Sequence, residues 1–87
     1  MQLLCRNDVQ DFATWKQVFD ADLEAQRDAG LSLMQIWRED GQPNRVWFLF
    51  EVHNRAKAQA FMEAPKADMH ANRAGVTSGE YHFLETL

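Results

Sequence analysis

Two apolar runs joined by a turn constrain this chain more than any other feature. In LSLMQIWRED (residues 31–40), Leu31, Leu33 and Trp37 alternate with Met34 and Ile36. In RVWFLFEVH (residues 45–53), Val46, Phe48, Phe50 and Val52 alternate with Trp47 and Leu49. A two-residue period is the strand period, and a strand that is apolar in both phases must be covered on both sides. GQPN (residues 41–44) supplies turn chemistry between the runs, which predicts an antiparallel hairpin.

Helical patterns flank the hairpin. Asp11 can cap a helix over residues 12–29, in which Phe12, Trp15, Phe19 and Leu23 recur at three- and four-residue spacing. On this reading Asp20, Glu24, Gln26 and Arg27 lie on its polar side, and Gly30 ends it. Asn54 can cap a second helix through Ala64, with Ala56, Ala60, Phe61 and Ala64 turned inward. Pro65 then either starts a new turn or kinks the helix, and KADMHANRAG stays helix-compatible as far as Gly75. Residues 1–8 and VTSGEYHFLETL complete the chain as first and last strands. The order is β-α-β-β-α-β, the α+β ferredoxin-like pattern.

Composition bounds the function. With 87 residues, 46% of them hydrophobic and 25% charged, residues 1–87 read as one small domain, which excludes a multidomain enzyme. Thirteen acidic residues against nine basic ones, with no basic stripe, argue against a nucleic-acid partner. One cysteine allows no internal disulfide, no apolar run approaches a membrane span and no signal-peptide pattern opens the chain, so a cytoplasmic protein is expected. No His/Cys/acid spacing suits a metal and no glycine-rich loop suits a phosphate, so neither metal nor cofactor is expected. The helices cover one sheet face; a second copy meeting the other face is the expected partner, giving a homodimer.

The DFATWKQVFD helix start, the AGL entry into the second strand, PNRVWFLFEVHNRAKAQAFMEAP and the closing AGV…YHFLE together resemble the small dimeric α+β barrel proteins of the antibiotic-biosynthesis-monooxygenase-like superfamily. The resemblance covers essentially the whole chain. It implies a cavity between helices and sheet and a small aromatic substrate. It also implies chemistry of the cofactor-independent oxygenase or cyclase kind, in which an electron-rich substrate itself reduces oxygen. In haem-degrading relatives an Asn on the first strand works with a Trp and a His of the second helical region. Asn7 and His70 match, but the Trp region carries Phe61 and Met62, so the pattern departs from haem chemistry.

The candidate catalytic residues are His82 and His70 as proton acceptors and Asn7 as an orienting amide. Trp15, Phe19, Gln35, Trp37 and Phe61 are the candidate substrate-binding residues, aromatic walls plus one amide that interrupts an apolar face. His53 beside the Asn54 cap is a further candidate for the cavity mouth, and Cys5 reads as a small core residue. A carrier or sensor using the same pocket without turnover, and a purely structural homodimer, are the alternatives.

Overall fold

The computed structural model describes residues 1–87. Its elements are β1 (Gln2–Val9), α1 (Phe12–Ala21), α2 (Leu23–Asp28), β2 (Leu31–Glu39), β3 (Gln42–Val52), α3 (Arg55–Glu63), α4 (Pro65–Arg73) and β4 (Val76–Leu84). The strands form one antiparallel sheet in the order β2-β3-β1-β4. This is the ferredoxin-like α+β fold, with each expected helix divided in two.

Both divisions have local causes. Pro65 has no N–H to bond back along α3 and forces the residue before it toward extended backbone. Ala64 accordingly takes ψ 145°, and Pro65 occupies the first turn of α4, so it starts a helix rather than kinking one. At Asp22 the amide bonds back to the Phe19 carbonyl at 3.1 Å, a tighter turn than the α-helical one, and α2 restarts at Leu23. Both expected caps form: Asp11 accepts from the Thr14 amide at 3.0 Å and Asn54 from the Lys57 amide at 2.9 Å. Within α3 the buried alanine is Ala58, while Ala56 and Ala60 are exposed, so the inward stripe runs through Ala58, Phe61 and Met62 instead.

The hairpin turn falls earlier than GQPN suggests. Glu39 pairs with Gln42, leaving Asp40 and Gly41 as the loop, with Gly41 at φ 77°. Pro43 lies within β3, beyond the last β3 residue paired to β1, Arg45. A second irregularity lies at Met34. Leu33 pairs with Phe50 and Gln35 with Leu49, so Met34 is an extra residue that reverses the alternation. Ile36 therefore joins Leu31 and Leu33 against the helices, whereas Trp37, expected beside those leucines, lies on the open face with Trp47.

Register separates the two faces. Leu3 is flanked by Phe50 and Phe83, and Cys5 by Phe48 and Tyr81, all on the helix-covered side. Leu4 is flanked by Leu49 and His82, and Arg6 by Trp47 and Glu80, on the open side. The core is twelve buried apolar residues between helices and sheet, centred on Trp15, Leu3, Leu31 and Val46.

Candidate functional site

The helices do not seal against the sheet. A cavity of about 340 Å³ lies between α1, α2, α3 and α4 and the strands β1, β3 and β4, and 13 of its 20 lining residues are hydrophobic. That is a volume suited to a small organic molecule. One wall is an aromatic stack: Trp15 lies on Phe19 with ring centroids 4.7 Å apart, and Phe19 meets Phe48 edge-on at 5.1 Å.

Polar groups enter this apolar space from three places. His70 on α4 holds Asp22, at the α1–α2 junction, through Nδ1 and Oδ2 at 2.7 Å, with both side chains largely shielded from solvent. In the neutral ring whose Nδ1–H donates to the carboxylate, Nε2 is left as an acceptor. Asn7 on β1 is oriented so that its amide nitrogen donates to the Arg6 carbonyl at 3.0 Å, and its oxygen accepts from Trp15 Nε1 at 3.1 Å. Gly79 on β4 stands opposite Asn7, and a Cβ there would come within 2.8 Å of the Asn7 amide nitrogen so oriented. Gln26 of α2 is the third polar group and is buried.

Of the eight candidate catalytic and substrate-binding residues, the cavity gathers Asn7, Trp15, Phe19, Phe61 and His70. It does not gather the other three. His82 projects from the open face beside Leu4, where Nε2 meets Glu80 Oε2 at 2.7 Å. The alternation that sets Tyr81 and Phe83 opposite it is as expected, but Tyr81 and Phe83 occupy the helix side and only Tyr81 reaches the cavity. Gln35 and Trp37 lie on the open face because of the extra residue at Met34. His53 contacts the Ser32 hydroxyl at 2.9 Å, also outside the cavity. Cys5 lines the cavity as a core residue, its thiol pushed up to about 12 by burial, so it remains protonated at neutral pH.

Three contributors escape the sequence reading. Asp22 is the acid that His70 meets, rather than Asp68 two residues away on its own helix. Gln26, placed on the polar side by that reading, is in fact turned inward. Gly79 makes room for Asn7. A signal for the first two exists: the inward stripe Trp15, Phe19 continues at three- and four-residue steps to Asp22 and Gln26, so polar residues interrupt an apolar face.

The open face carries a chain of ion pairs among apolar side chains. Arg6 Nε holds Glu80 at 2.7 Å, Arg45 holds Asp8 at 2.8 Å and Glu39 at 3.1 Å, and Trp47 Nε1 donates to Glu39 at 2.9 Å. Hydrogen bonds from Arg45 and then Arg6 hold Asp8 below the usual carboxylate range, and those from His82 and then Arg6 do the same for Glu80. No helix is long and apolar enough to cross a membrane.

No family model matches the chain, and no curated protein matches it. Solved structures do. A protein from Bordetella bronchiseptica described as an inferred antibiotic biosynthesis monooxygenase superposes with a TM-score of 0.75 at 13% identity, covering 99% of this chain and 96% of its own. One from Caulobacter crescentus with the same description gives 0.71 at 15% identity, over 99% and 88% of the two chains. An uncharacterised NIPSNAP domain protein from Burkholderia xenovorans gives 0.65 at 15%, over 100% and 95%. At these identities the likeness is one of fold, and at that level the chain has the architecture of the antibiotic-biosynthesis-monooxygenase-like proteins that its sequence resembles.

Proposed function

We propose that the helix–sheet cavity binds a small aromatic molecule and that His70, oriented by Asp22, removes a proton from it. The observation that carries this reading is the 2.7 Å His70–Asp22 contact at the edge of a mainly apolar cavity. A histidine whose second nitrogen is held by a carboxylate is the ordinary form of a general base near neutral pH. His70 is preferred to His82 because His82 is engaged with Glu80 on the other side of the sheet. Asn7, fixed by Trp15, has a spare N–H for the resulting anion. Trp15, Phe19 and Phe61 supply the walls.

The reaction proposed is oxygenation driven by the substrate's own electrons. A ring CH2 acidified by a carbonyl gives its proton to His70 Nε2, and the carbanion reduces dioxygen. The carbon loses two hydrogens and gains one oxygen atom as a carbonyl, and the second oxygen leaves as water. The fold shared with proteins described as antibiotic biosynthesis monooxygenases supports this choice over other proton-transfer chemistry. A homodimer through the open sheet face belongs to the same proposal, with Trp37, Trp47, Leu4, Leu49 and Leu84 covered.

Oxygen uptake with anthrone tests the assignment. The native protein is expected to accelerate uptake. His70→Asn is expected to lose about 100-fold or more in kcat, the usual contribution of a general base, while His82→Ala keeps native turnover. Full activity in His70→Asn would overturn the role given to His70. Saturable binding of anthrone without oxygen uptake would favour the carrier alternative.

A further inference from the structure

Gln26 is hard to explain as part of the core. It is 6% exposed, and its Oε1 is the one buried side-chain oxygen or nitrogen in the molecule without a hydrogen-bond partner. A buried amide oxygen left unpaired lowers stability, and native proteins leave few of them. A leucine or methionine would fill the same position on α2 at no such cost. Yet Gln26 lines the cavity, one helical turn after Asp22 on the same helix face. The terminal amide torsion is broad, so rotation about it can present the oxygen to a molecule in the cavity.

Resting on the reading of this cavity as a ligand site, we infer that Gln26 accepts a hydrogen bond from the ligand, which is an aromatic molecule bearing a phenolic O–H or ring N–H. The apolar walls take its ring system and Gln26 Oε1 takes its donor. Asp22 and Asp68 also line the cavity, and their negative charge disfavours a carboxylate-bearing ligand. Gln26 thus selects among molecules of one shape. A skeleton with the donor satisfies the orphan oxygen, and the same skeleton without it leaves that oxygen unpaired in the complex.

The test is a titration of isotope-labelled protein, followed by amide NMR, with 2-naphthol, 2-methoxynaphthalene and 2-naphthoate. Shifts confined to cavity residues are expected, with 2-naphthol binding about tenfold or more tighter than its methyl ether and 2-naphthoate weakest. In Gln26→Met the preference for 2-naphthol over the ether is expected to vanish while Tm stays level or rises, because an unpaired polar group has been removed. Gln26→Leu is expected to behave alike. Equal binding of 2-naphthol and its ether to the native protein, or a preference that survives in both variants, would overturn the inference while leaving the cavity reading standing. A fall in Tm in both variants with the preference intact would make Gln26 a structural residue. Failure of all three compounds to shift any cavity amide at millimolar concentration would overturn the cavity reading, and the inference with it.

Discussion

At the scale of single residues, the site depends on contacts that no local pattern encodes. Asn7 interrupts an apolar face in the sequence, but what makes it a fixed amide is Trp15 reaching across from α1 and Gly79 leaving room on β4. Gly79→Ala therefore has a defined consequence. Its Cβ would press on the Asn7 amide nitrogen and stand 3.2 Å from the Arg6 carbonyl, so the amide must leave its seat or the strands must part. The expected outcome is loss of the Trp15 indole hydrogen bond, visible as a changed Trp15 N–H resonance, with a lowered Tm; an unchanged resonance would show that Asn7 is not held this way. Asn7 and His70 were legible in the sequence as polar residues on a strand and a helix. Asp22 and Gln26 were legible only by continuing the Trp15–Phe19 stripe instead of ending it at Leu23, and the pairing of Asp22 with His70, 48 positions later in the chain, was not legible at all.

At the scale of elements, strand and helix order followed from hydrophobic periodicity, and the caps at Asp11 and Asn54 from side-chain chemistry. What periodicity could not carry was phase through an irregularity. One extra residue at Met34 is enough to send Gln35 and Trp37 to the open face, because side-chain direction in a strand reverses at every residue. Deletion variants separate this account from a general intolerance of β2 to change. Removing Met34 leaves every other β2 side chain on its present face, so the variant is expected to fold with native tryptophan emission. Removing Ile36 drives Trp37 toward the core and Arg38 to the open face, and that variant is expected to unfold. Equal loss of structure in both would contradict the bulge as the source of the facing. The break at Asp22 is the second such irregularity. A continuous helix was expected there, and the structure instead uses the junction to hold the carboxylate that meets His70.

At the scale of the whole molecule, the sheet divides two tasks: its helix side holds the cavity, and its open side is the proposed meeting surface of two copies. The open face is less apolar than alternation suggested, since Arg6, Asp8, Arg45, Glu39 and Glu80 run through it. Those charges are already paired within one chain, which lowers the cost of covering them. Sedimentation equilibrium is expected to return twice the 10.1 kDa chain mass, and Leu49→Asp to return the single-chain mass; a 10.1 kDa native species at micromolar concentration would contradict the dimer. The central claim, however, is the cavity, and the most direct test is a high-resolution crystal structure of protein purified from cells with nothing added. The account predicts density for a planar molecule against Trp15 and Phe19, with a hydrogen-bond donor at Gln26 and a polar atom at His70. An interior closed by Phe61 and Met62, with no room for such a molecule, would contradict it.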